Sequence, residues 1–122
     1  VTIAVARHQA IGESDEWKVY LINTNEFPIE NVLVASKGYG ERDGEQQKTS
    51  VLRHFFDSIE PHQAALIEPI DPKVFHLNNE YWVSYYIGKD VYDKRFVFVP
   101  DSICEQNLTF LKELNVEAVL HS

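Results

Sequence analysis

The side chains best suited to recognition chemistry cluster late in the chain. Tyr81-Trp82 and Tyr85-Tyr86 are followed, across Gly88-Lys89-Asp90-Val91, by Tyr92, Phe96 and Phe98. Successive side chains of a strand point to opposite faces, so Trp82 and Tyr86 lie opposite Tyr81 and Tyr85 and both faces are aromatic. One set is expected to face outward, where aromatic rings with a polar handle anchor protein or sugar partners. Tyr81, Trp82, Tyr85 and Tyr86 are therefore the candidate binding face. A second candidate is a basic spot made of Lys37, Arg53, His54, Lys94 and Arg95. In an acidic chain these cations suit an acidic peptide or an anion, or else serve as solvated edge charges that discourage strand pairing.

Metal, nucleophile and phosphate chemistry each need a pattern that is missing here. Zinc takes His and Cys at close, geometry-setting spacings. His8, His54, His62, His76, His121 and Cys104 form no HxH, HxxxH or CxxC pair, so no metal and no other cofactor is expected. Cys104, beside Ile103, reads as a small buried hydrophobe; a nucleophile would need a neighbouring base. Gly38-Tyr39-Gly40 with Gly44 lacks the following helix whose N-terminus would hold a phosphate. Acidic clusters such as Glu13-Ser14-Asp15-Glu16 read as solvated turns and single out no acid/base pair. An enzyme or small-ligand site, the alternative to a binding module, is expected at the loop end near Tyr39, His54 and His76.

The charge balance narrows the partners. The 122 residues carry 11 Lys and Arg against 19 Asp and Glu, a formal net charge of −8. Nucleic-acid backbones and anionic membrane surfaces both select clustered cations, so neither is an expected partner. At 44% hydrophobic and 12% aromatic the chain has the composition of a folded domain, and 1-122 is read as one domain. A domain of this size buries roughly two-thirds of the surface its unfolded chain exposes, enough for a core without staples. One cysteine excludes an intrachain disulfide and fits a reducing compartment. No apolar run reaches the roughly 20 residues of a membrane helix, and the N-terminal residues lack the basic-then-apolar order of a signal peptide. The expected location is the cytoplasm. Methionine is absent, position 1 included, so the chain is expected to start after a processing point or boundary, with room for residues upstream.

These side chains must be positioned by strands. Period-2 segments rich in Val, Ile, Tyr, Phe and Trp recur about every ten residues, an all-β rhythm. They run over Thr2–His8, Trp17–Ile22, Ile29–Ser36, Thr49–Phe56, Ala64–Ile70, Tyr81–Ile87 and Tyr92–Val99. Gly38 to Lys48, with three glycines and a charged stretch, reads as the loosest internal loop. Alternation puts Trp17, Val19, Leu21, Val32, Val34, Leu66, Val83, Phe96 and Phe98 in the core. The tail is ambiguous: Ser102–Leu114 reads as irregular, a short helix or an eighth strand, and Val116–Leu120 as a segment able to pair last. About seven strands at this spacing fit an immunoglobulin-like antiparallel β-sandwich with an irregular or short helical C-terminal tail, a small open barrel being the alternative.

Four stretches carry a resemblance. VASKGY (Val34–Tyr39), Lys48-Thr49-Ser50 with Arg53-His54, LNNEYWV (Leu77–Val83) and YDKRFVF (Tyr92–Phe98), in this order, resemble a family of small uncharacterised bacterial proteins. Some of its members are labelled phenylalanyl-tRNA synthetase alpha subunit. The resemblance covers about Trp17 to Val99 and implies no activity, ligand or site residue. The synthetase label does not transfer: such a core needs a far longer chain, only Arg7, Arg42, Arg53 and Arg95 are available to grip ATP, and no stretch resembles an aminoacylation motif. The expected function is a non-catalytic binding or assembly module. Its partner is another protein or a second copy, the latter as a weak homodimer centred near Trp82 or Tyr85.

Overall fold

Ten antiparallel strands form among residues 1–9 and 11–122, which a computed structural model of the chain describes. They are β1 (Thr2–His8), β2 (Glu16–Ile22), β3 (Ile29–Arg42), β4 (Glu45–Lys48), β5 (Leu52–Ile59), β6 (Ala64–Pro69), β7 (Asn78–Ile87), β8 (Asp90–Phe98), β9 (Thr109–Leu111) and β10 (Val116–His121). One sheet has the order β6-β2-β1-β10-β9. The other runs β4-β3-β7-β8, with β5 also paired to β3. The sheets do not close into a barrel. Among the described residues no helix is long and apolar enough to cross a membrane.

The core is what the alternation dictates. Ile3, Val5, Val19 and Leu21 of the first sheet meet Val32, Val34, Tyr81, Val83, Phe96 and Phe98 of the second in one buried cluster. Each such side chain contributes roughly 1.5–3 kcal/mol by leaving water. Asn23 ties the sheets together at one end. Its fully buried amide donates to the carbonyls of Phe27 (2.9 Å) and Ile59 (3.0 Å), and its oxygen accepts from the Asn25 N–H. Two hairpins close on two-residue turns that match strand twist. Asp43 and Gly44, between Arg42 and Glu45, both have positive φ (54° and 79°); in the β7–β8 turn Gly88 does (59°).

Several expectations are corrected. Ten strands replace about seven: β4 is wholly polar and β9 has only three residues, so neither shows an alternating signal, while β10 is the Val116–Leu120 segment expected to be able to pair last. Gly38 to Lys48 is a hairpin and not a loop. β3 runs on through Gly38 and Gly40, whose missing side chains make room for Thr49 and Leu77: a Cβ there would lie 3.0 and 3.3 Å from their side chains. These glycines allow close packing, one of the uses of glycine within a strand. The strand expected at Thr49–Phe56 lies at Leu52–Ile59. The tail has a 3-10 turn at Glu105–Asn107 and then two strands, β10 pairing with β1 from Ile3↔His121 to Arg7↔Glu117. In the core, Leu66 is 49% exposed and Ile67 is buried instead. Leu66 pairs with Tyr20 on the outer side of its sheet, next to a register shift at Val19/Tyr20. Trp17 is only half-buried, its ring edge-on to Phe75 at 5.2 Å.

Candidate functional site

The register of β5, β3, β7 and β8 sets the outward face of their sheet. Directly paired residues share a face, so Arg95, Trp82, Ala35 and Arg53 stand side by side in one row across the four strands. Asp93, Ser84, Leu33 and Phe55 stand in the next. Trp82 (46%), Tyr86 (40%), Leu33 (43%) and Phe55 (59%) are exposed apolar members, as is Val91, the partner of Tyr86 on β8. The candidate aromatic set therefore divides. Trp82 and Tyr86 face outward, whereas Tyr81 and Tyr85 are buried between the sheets, Tyr81 edge-on to Phe98 and Tyr85 stacked on Tyr92. Burial raises the hydroxyl pKa of both, helped by the Glu68 carboxylate at Tyr81 and by Tyr92 at Tyr85.

The basic candidates divide too. Lys37, Arg53 and Arg95 share the outward face with Trp82. Lys37 and Arg95 converge there on Glu80, whose side chain is only 7% exposed. Arg95 Nε donates to Glu80 Oε1 (2.7 Å), Lys37 Nζ lies 3.6 Å from Oε2, and the Tyr39 hydroxyl donates to Oε1 (3.3 Å) while accepting from Arg95 Nη2 (3.1 Å). The bond to Glu80 is the main reason that the Arg95 pKa is raised. Arg53 enters no ion pair among the described residues. Ala35 forms the floor of a shallow groove of about 270 Å³, walled by Trp82, Val51 and Arg53 and ended by Lys37 and Glu80. Lys94 and His54 point the other way. Lys94 lies over the Phe96 ring at 5.1 Å, and His54 Nε2 bonds Glu68 Oε1 at 2.8 Å.

Glu80, Ala35, Leu33 and Phe55 were not legible as site residues in the sequence. Their signal exists only in cross-strand register, since each looks like an ordinary strand residue by itself.

A second concavity, of about 240 Å³, opens between the sheets beside Ser36, Glu68, Asp71, Asn79 and Tyr81. Ser36 Oγ donates to Glu68 Oε1 (2.6 Å), the same oxygen that His54 bonds. Both groups converge on one carboxylate and not on each other, so the trio lacks the nucleophile–base contact of a catalytic serine. Nor do Tyr39, His54 and His76 form one site. Tyr39 bonds Glu80 and Arg95, His54 bonds Glu68, and His76 bonds Gln47 (2.7 Å). Cys104 is half-buried. Among the described residues no group of three or more His, Cys, Asp or Glu is placed to hold a metal. No family model matches the chain, and no curated protein or solved structure matches it.

Proposed function

We propose that the chain is a non-catalytic binding or assembly module acting through the outward face of β5-β3-β7-β8. The observation that carries this reading is the coincidence, on one face, of exposed Trp82, Tyr86, Leu33 and Phe55 with the cations Lys37, Arg53 and Arg95. Trp, Tyr and Arg are the residue types that dominate binding energy at protein interfaces. The Glu80 cluster holds Arg95 and Lys37 in place before a partner arrives, which lowers the ordering cost of binding. An immunoglobulin-like sandwich agrees with this use. The runs β6-β2-β1 and β3-β7-β8 have the neighbour order of the two sheets of such domains, with β9 and β10 added beside β1. The similarity to small bacterial proteins and a cytoplasmic location belong to the same proposal, supported by the quoted stretches and by the acidic, single-cysteine composition.

The test is comparative capture from native lysate. A protein retained by the wild type is expected to be lost with Trp82→Ala or Leu33→Ser and kept with Leu66→Ser, which lies on the other sheet. Equal capture by all three variants removes the face from the reading.

A further inference from the structure

β5 leaves one side open. Among the described residues it pairs only with β3, from Ile29↔Ile59 to Ser36↔Leu52. Among the described residues, Leu52 to Ser58 make no backbone hydrogen bond outside that ladder. An eight-residue edge of unpaired N–H and C=O groups is a template for a further strand. The other long edge of this sheet, β8, carries Asp93, Lys94 and Arg95 in succession, the kind of charge run that blunts an edge. On β5 the exposed residues are Leu52, Arg53, Phe55, Asp57 and Ser58.

We propose that β5 pairs antiparallel with β5 of a second copy about a two-fold axis through Phe55, joining two outward faces into one eight-stranded surface. The proposal rests on reading that face as the binding surface and names its first partner. Antiparallel pairing keeps the outward side chains together only when the axis passes through a residue, because a one-residue slip reverses every side chain. Near the middle of β5 the axis has three places to pass, His54, Phe55 or Phe56. Through His54 it sets Arg53 against the partner's Phe55. Through Phe56 it sets Asp57 against the partner's Phe55. Only through Phe55 does Arg53 meet the partner's Asp57, twice by symmetry, with the two Phe55 rings side by side between the ion pairs. Opposite charges and aromatic pairs are the favourable cross-strand combinations. Self-complementarity is what a two-fold interface requires. The same operation on β8 pairs Asp93 with Arg95 but sets Lys94 against Lys94, and Arg95 is already bound to Glu80.

In this register the row Ser84–Leu33–Phe55 continues directly into its symmetry mate. Two apolar patches become one, with Trp82 and Ala35 alongside the Arg53–Asp57 pair.

The test is a charge-swap series read by sedimentation equilibrium, with circular dichroism confirming that each variant is folded. The wild type is expected to show a concentration-dependent monomer–dimer equilibrium. Arg53→Asp alone and Asp57→Arg alone each set like charges across the axis and are expected to weaken it at least ten-fold. An equimolar mixture of the two single variants, and the double variant, are expected to recover it, since every cation again meets a carboxylate. A wild type that stays monomeric up to millimolar concentration overturns the proposal, as do single variants that dimerise normally or a mixture that stays monomeric. Trp82→Ala is expected to leave the dimer intact. If Trp82→Ala abolishes the dimer and the charge swaps do not, the edge assignment fails and the face remains. If the swaps behave as expected but Trp82→Ala changes no capture, the edge stands and the face reading fails.

Discussion

Two buried aromatic residues set measurable quantities. Phe96 is fully buried and packs edge-on against His121 at 5.4 Å, bridging the second sheet to β10 of the first. Phe96→Ala is expected to cost about 3–5 kcal/mol, the usual range for emptying such a site, checked by urea unfolding at neutral pH. A near-unchanged midpoint removes it from the core. Tyr81 makes a different prediction, because burial and Glu68 hold its hydroxyl well above the ordinary value. The folded protein keeps that proton after the unfolded chain has released it, so the unfolded state binds fewer protons and stability falls with rising pH. The contribution is intact below the ordinary tyrosine value of about 10 and declines above it. Tyr85 is shifted the same way. Tyr81→Phe is therefore expected to shrink the loss of unfolding free energy between about pH 9 and about pH 11, measured by urea titration at each. An identical loss in wild type and variant places the alkaline sensitivity elsewhere.

The elements show which parts of this molecule its sequence declares. Strand period and turn residues are local, so β1, β2, β7 and β8 were readable within a few residues from Val, Ile, Tyr and Phe alternation and from Gly88. Which face points out is not local. Tyr81 and Trp82 look equivalent in the sequence, and only the partners of β7 decide that Tyr81 is buried and Trp82 exposed. Glu80 illustrates the same limit: its partners Lys37, Tyr39 and Arg95 come from β3 and β8, and nothing beside it in the chain announces them. Gly38 and Gly40 misled because glycine marks both loops and close packing, and here Thr49 and Leu77 require the second. Gly44 is the glycine that does make a turn, at φ 79° with no atom near the place of a Cβ. Gly44→Ala is thus expected to act through backbone strain alone, costing about 1 kcal/mol. Hydrogen exchange is expected to quicken in β4 and the end of β3 while β7 and β8 keep their protection; uniform quickening throughout the sheet means that the hairpin is not an independent unit.

At the scale of the whole molecule, the net charge of −8 opposes the association that the β5 edge favours. A folded chain of this length has a radius of gyration near 14 Å, which puts the centres of two copies joined edge to edge on the order of 30 Å apart. Two such charges at that distance repel by roughly 3 kcal/mol at about 0.01 M salt, where the Debye length is ~30 Å. At about 0.15 M, with a Debye length of ~8 Å, the repulsion is a few tenths. The two Arg53–Asp57 pairs pull in the other direction, but exposed pairs contribute only about 0.2–1 kcal/mol each and lose part of that as salt rises. The larger change wins, so the dimer is expected to tighten by about ten- to a hundred-fold between those two salt concentrations. Sedimentation equilibrium at the two ionic strengths measures it. The double charge-swap variant leaves the net charge unaltered, so its salt slope is expected to match the wild type. A dimer that weakens as salt rises would show that the local pairs, and not the overall charge, dominate the contact.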